Sequence, residues 1–138
     1  MITREATIPN TLDGIQRISQ IVDELAVTHH LPDDVVADIQ VALDEVLTNI
    51  ITHGYPDGGS HEIRVRVTVD EHALTAEIED DGKPFNPLEA PRPDLSAGLK
   101  DRPVGGVGIY FVRELMDEVE YAWLENRNRL VLRRRMGS

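Results

Sequence analysis

Three short segments carry side chains whose types and spacing suit chemistry. Glu45, Asn49 and His53 follow one another at four-residue intervals within Ala42–His53. On a helix rising about 1.5 Å per residue, they form a stripe with steps of roughly 6 Å, so all three can face one ligand. An Asn amide oxygen suits Mg²⁺, a hard cation that keeps several of its waters, and a carboxylate one turn away can orient or deprotonate an attacking hydroxyl. The second segment is Asp80-Asp81-Gly82-Lys83-Pro84-Phe85. An Asp fixed at a strand end can accept a hydrogen bond from an exocyclic amine, and a glycine two residues on lets a planar ring approach the backbone. The third is Gly105-Gly106-Val107-Gly108 at the start of a helix, where bare N–H groups and the positive end of the dipole favour phosphate oxygens. Taken singly, each has a bland reading: a solvated helix face, an ordinary Asp-Gly turn, a loop end. No Gly-x-x-x-x-Gly-Lys-Ser/Thr loop exists, and the glycines follow a long loop rather than the strand a Rossmann fingerprint requires.

The elements that must position these residues follow from periodicity. Residues 4–8 suit a short strand stopped by Pro9, after which Asn10 or Thr11 can cap a helix with Ile15, Ile18, Val22 and Leu25 on one face, ending near His29 and His30. Pro32-Asp33-Asp34 starts a second helix, whose apolar positions from Val35 to Ile50 recur at helical spacing until Gly54. The period then becomes two: Ile63, Val65, Val67 and Val69 alternate with polar residues, as do Leu74, Ala76 and Ile78, which predicts a hairpin over 61–80. Residues 82–106 carry five prolines and four glycines without periodicity, too long for an ordinary connector, and read as a lid of about 83–105. A helix from about Val107 to Asp117 and two strands, Val119–Leu124 and Leu130–Arg134, around a turn at Asn126-Arg127-Asn128 complete the chain. The expected fold is a single α+β domain over 1–138, a two-layer sandwich with three helices covering one face of a mixed, mainly antiparallel sheet.

Composition narrows the function classes. At 138 residues and 41% hydrophobic, one core can be buried. The formal net charge of -11 opposes phosphate backbones, so direct nucleic-acid binding is not expected, and the Arg133-Arg134-Arg135 cluster reads as a solvated strand end. The absence of cysteine excludes disulfides, thiolate metal sites and Cys nucleophiles. With no basic-then-apolar start and no apolar run of spanning length, a cytoplasmic chain away from the membrane is expected.

The order and context of the three segments resemble one known design. Glu45-x-x-x-Asn49, then Asp80-x-Gly82-x-Pro84-Phe85 after a strand, then Gly106-x-Gly108-Ile109-Tyr110 before Leu115-Met116-Asp117-Glu118-Val119, resemble the N, G1 and G2 boxes of the GHKL ATPase superfamily. The short length, Pro84-Phe85 after the glycine and the run Gly-Gly-Val-Gly-Ile-Tyr-Phe-Val-Arg-Glu-Leu-Met-Asp-Glu-Val are most similar to the anti-sigma-factor serine kinases. That resemblance implies a Bergerat fold, Mg-ATP under a mobile lid, phosphoryl transfer to a serine of a STAS-class anti-anti-sigma partner, sequestration of a sigma factor, and a homodimer through the exposed sheet. By position it implies Glu45 as base, Asn49 as Mg²⁺ ligand, Asp80 as reader of the adenine amine, Gly82 under the purine, and Gly106 and Gly108 at the phosphates. Gly105, Val107, Phe85 and His53 join the nucleotide-binding set, although His53 also suits a helix-end hydrogen-bonding role. Lys100 and Arg102 are the lid cations expected to reach the γ-phosphate. The chain departs from the superfamily where a late-strand Thr usually supports the adenine-reading Asp through water: Asn128-Arg129-Leu130-Val131 has none. A binding module that keeps the ATP site without catalysis, and the catalytic domain of a histidine kinase, are the alternative readings.

Overall fold

The structure is a computed structural model, which describes residues 1–89 and 106–137. Its elements run β1 (Ile2–Pro9), α1 (Leu12–His29), α2 (Asp33–His53), β2 (Glu62–Val69), β3 (Ala73–Asp80), a 3₁₀ turn at Pro87–Glu89, α3 (Gly106–Leu115), β4 (Glu118–Leu124) and β5 (Arg127–Arg135). The strands form one sheet in the order β1-β2-β3-β5-β4. As expected, three helices cover one face of it. The sheet is not mixed, however: every ladder among the described residues is antiparallel. The reason is the β4–β5 hairpin, which inserts β5 between β3 and β4, so these two strands, which run the same way, never touch.

Parity decides which face is buried. On β2 and β3, Ile63, Val65, Val67, Leu74, Ala76 and Ile78 are all at most 1% exposed, as period-two alternation requires when one face meets helices. Those helices answer with Ile18, Val22, Val35, Ile39, Leu47, Ile109 and Val112, each fully buried. Burying such a side chain contributes about 1.5–3 kcal/mol. The outer face instead carries charge across the strands. Arg66 Nε meets Glu5 Oε2 at 3.0 Å and Arg129 Nε meets Glu77 Oε1 at 2.6 Å, while Arg64 pairs with Glu79.

Local chemistry sets the helix ends. At the end of α1, His30 adopts the left-handed conformation (φ 53°), which lets the Leu31 N–H reach back to the Ala26 carbonyl. Asp33 and Asp34 occupy the first turn of α2, where the dipole favours negative charge. Arg134 is not the solvated strand end expected of the terminal Arg cluster. Its guanidinium lies 3.0 Å from Asp38, 3.3 Å from Asp34 and 3.6 Å from Asp117, and so ties the end of β5 to α2. Arg135 pairs with Glu118 at 2.8 Å. Among the described residues no helix is long and apolar enough to cross a membrane.

Candidate functional site

Where α2 ends over the inner face of the sheet, a narrow cleft opens. Val46, Ile50, Ile109 and Leu130 make its apolar walls; Asn49 and His53 enter from α2, Asp80 and Asn128 from neighbouring strands, and Lys83, Phe85 and Pro87 from the segment that leaves β3. Two of the three segments singled out in the sequence therefore supply side chains to one cavity, and the third contributes its helix through Ile109.

The closed end of the cleft is a hydrogen-bonded network. Asp80 is 3% and Asn128 7% exposed, the only buried polar side chains among the described residues. They are register partners on β3 and β5, and each continues the inward parity of its strand. Asp80 Oδ1 accepts hydrogen bonds from the Gly82 N–H at 2.9 Å and from Asn128 Nδ2 at 3.0 Å. Burial pushes the Asp80 carboxyl above its ordinary value, and these two donors oppose that shift by favouring the charged form. Asn128 does more. Its Nδ2 also donates to the Lys83 carbonyl at 2.9 Å, and its Oδ1 accepts from the Phe85 N–H at 3.1 Å and the Tyr121 hydroxyl at 2.5 Å. The departure from the expected late-strand Thr is thus filled by an amide that touches the Asp directly.

Gly82 is required by close approach. A Cβ there would stand 2.6 Å from the Gly54 carbonyl oxygen, which also accepts the Lys83 N–H at 2.8 Å. The end of α2 is stapled to the exit of β3 at this point, and no side chain fits between them.

The α2 stripe is divided. Asn49 and His53 line the cleft, but Glu45 does not. Each four-residue step on a helix overshoots a full turn by about 40°, so two steps carry Glu45 well round from His53. Its carboxyl lies instead against α3: a Cβ on Gly108 would stand 2.5 Å from Glu45 Cδ and overlap Oε2. Glu45 also borders a groove with Ile15, Val41 and Asp44 between α1 and α2. A carboxylate in that position sits beside the positive end of α3, whose first N–H groups have no partner within the helix. Gly106 and Val107 supply the backbone of that first turn. Gly105, Lys100 and Arg102 lie outside the described residues.

The donor set fits a purine nucleotide. A buried acceptor stands at the closed end between apolar walls that match a flat ring, and Asn49 offers an amide oxygen farther along α2. Among the described residues no three carboxylates or imidazoles converge on a metal position, so a divalent ion here would be held by Asn49 together with phosphate oxygens, the usual arrangement for Mg²⁺.

Sequence reasoning missed the cluster beside Asp80. His61 stacks on Tyr55 with ring centroids 4.4 Å apart, and its two ring nitrogens reach Asp57 at 3.0 Å and Asp81 at 3.2 Å. Hydrogen bonding to Asp57, more than to Asp81, raises the imidazole above its ordinary value. The cluster packs the 54–61 loop against Asp81; the only sequence signal was the placement of Tyr55, Asp57 and His61 around the Pro56-Asp57-Gly58-Gly59 break.

A family model described as a histidine kinase-like ATPase domain matches residues 8–134. Among curated proteins, the serine-protein kinase RsbW of Halalkalibacterium halodurans is 27% identical over 129 residues, spanning 86% of this chain and 74% of the relative. The anti-sigma F factor of Clostridium novyi is 28% identical over 111 residues, 75% of this chain and 73% of that protein. The RsbW of Bacillus velezensis is 33% identical over 92 residues, but the alignment spans 63% of this chain and 57% of the relative. Among solved structures, the RsbU and RsbW domains of a Mycobacterium tuberculosis protein superpose with a TM-score of 0.70 at 16% identity, over 99% of this chain and 33% of that one. The fold, the order of the three segments and the extent of the match agree: this chain belongs to the histidine kinase-like ATPase domain family.

Proposed function

We propose that this chain is a Mg-ATP-dependent protein serine/threonine kinase that phosphorylates a serine of a STAS-domain anti-anti-sigma partner and sequesters a sigma factor. The observation that carries the reading is the buried Asp80 at the end of an apolar cleft whose α2 wall also presents Asn49, with Glu45 one turn back against Gly108. The names of the relatives, serine-protein kinase and anti-sigma F factor, support the choice of acceptor and partner. Homodimerisation and a cytoplasmic location belong to the same proposal.

Phosphoryl transfer asks a protein mainly for positioning and charge neutralisation. In this reading Asp80 accepts the adenine amine, Gly82 leaves room for the ring, and the N–H groups at the tip of α3, including Gly106 and Gly108, hold phosphate oxygens. Asn49 is the side chain that would hold Mg²⁺, and the ion would supply neutralisation of the phosphate charge. Glu45 takes the proton of the acceptor hydroxyl as its oxygen bonds to the γ-phosphorus and the bond to the leaving ADP oxygen breaks. His53 lines the same wall and is assigned to the phosphate side. Lys100 and Arg102 are assigned to the γ-phosphate, and an unchanged transfer rate in Lys100→Ala and Arg102→Ala would remove them.

The deciding measurement is an ATP titration with and without Mg²⁺ on wild type, Asn49→Ala and Asp80→Asn, followed by transfer of labelled γ-phosphate to candidate STAS proteins. The expected outcome is a Mg²⁺-dependent affinity lost in the first variant and an affinity lowered roughly 10- to 100-fold in the second. ATP binding without transfer to any STAS protein would leave only a binding module.

A further inference from the structure

Asn128 is the most heavily engaged side chain of the cleft, and the kinase reading assigns it nothing. Its amide is oriented without ambiguity: the NH₂ group faces an acceptor pair, Asp80 Oδ1 and the Lys83 carbonyl, while the oxygen faces two donors, the Phe85 N–H and the Tyr121 hydroxyl. A flipped amide would set donor against donor and acceptor against acceptor. The two bonds received by Asp80, from Gly82 and Asn128, both go to Oδ1, and Asp80 itself lines the cavity. Among the described residues only this oxygen is engaged by hydrogen bonds, which leaves the other for a ligand in the cavity.

We propose that Asn128 is a specificity-determining positioning residue: it holds Asp80 so that the carboxylate reads a 6-amino purine, and through Lys83 and Phe85 it fixes the 83–85 strap as the wall of the same pocket. This rests on the nucleotide reading above and goes beyond it. A purine bearing a carbonyl at position 6 would set its oxygen against the Asp80 carboxylate, and the pocket can reject it only while the carboxylate is kept from turning. Tyr121 supports the arrangement from β4, so three strands and the strap meet at a single amide.

The test compares binding of ATP and inosine triphosphate, which differ in the 6-substituent, to wild type, Asn128→Ala and Tyr121→Phe. Wild type is expected to prefer ATP. In Asn128→Ala, ATP affinity falls roughly tenfold, as for loss of a hydrogen bond to a charged group, while inosine triphosphate affinity changes little and the preference collapses. Tyr121→Phe removes one donor to the amide without touching Asp80 and shifts the preference in the same direction by a smaller factor; it also keeps the proposal testable should Asn128→Ala fail to fold. In an Asp80→Asn background, Asn128→Ala should no longer alter the ATP-to-inosine triphosphate ratio, since the two act as a unit. Equal loss of both nucleotides, or no change in their ratio, would overturn the proposal. Wild type that binds neither nucleotide would overturn the kinase reading, and this inference with it, before any variant is made.

Discussion

The two ends of the candidate site, the closed end of the cleft and the α2–α3 contact beside it, are built on opposite plans. At the closed end, Asp80 and Asn128 are sunk below the surface, at 3% and 7% exposure, and bonded to each other, to backbone and, through Asn128, to Tyr121. At the α2–α3 end, Glu45 is half-buried, as is Asn49 one turn on. The first plan suits recognition of a rigid ring, because a buried, fully oriented acceptor tolerates no misplaced partner. The second suits chemistry in which charge, metal and a second protein must enter and leave. In the proposed reading, recognition and reaction thereby fall to different environments of one site.

Substitutions can break or sharpen that contrast. The largest effect is expected at the open end: Glu45→Gln should lower the rate of phosphoryl transfer by about 10²–10⁴-fold while ATP affinity stays within roughly twofold of wild type. Single-turnover transfer beside equilibrium titration separates the two, and equal losses in both would erase the division between the ends. At the closed end, Gly82→Ala forces a methyl to within 2.6 Å of the Gly54 carbonyl, and should destabilise the fold by about 1–3 kcal/mol in urea unfolding while weakening nucleotide binding. The smallest effect is a gain. Because burial raises Asp80 in the folded state, the unfolded chain ionises first as pH climbs past the ordinary value of 3.8, and the folded state loses stability through the raised value. Asp80→Asn has no such loss, so nucleotide-free protein should melt a few degrees above wild type at pH 7.5, with the gap closing toward pH 4. A variant that melts lower at pH 7.5 would mean that the carboxylate is structural rather than held against the grain for a ligand.

Much of this was legible from alternation alone. The order of strands and helices along the chain and the hairpin of β2 and β3 follow from periods of two and 3.6 together with where the glycines and prolines fall, whereas the convergence of Asn49, His53 and Asp80 is what the resemblance to the GHKL boxes implies. The errors are equally local. The final turn was expected at Asn126-Arg127-Asn128, whereas the chain reverses at Glu125 and Asn126, both with positive φ (53° and 62°). A glutamate in that conformation gives no warning, since Gly, Asn and Asp are the residues that signal it. The shift had a cost, because it placed Asn128 in a loop when it is in phase with the inward Leu130 and Leu132; read as a strand position, it would have pointed to Asp80. Glu45 was expected to share a face with His53, which holds only for a helix of four residues per turn. The ion pairs of Arg134 with Asp34 and Asp38 bridge about a hundred residues of sequence, a separation no local pattern reports.

The alternating charges on the outer face of the sheet set alignment more than they add strength. Exposed pairs of this kind are worth about 0–1 kcal/mol each, yet Glu5, Arg66 and Glu77 stand in one row across three strands, flanked by Arg64 with Glu79. Sliding β1 by a single residue would turn Ile8 outward and move Glu5 out of the row it shares with Arg66. Misalignment would thus be penalised on both faces at once, by exposed hydrocarbon and by a broken sign pattern, and the strand at the sheet's margin is held in step without a covalent link.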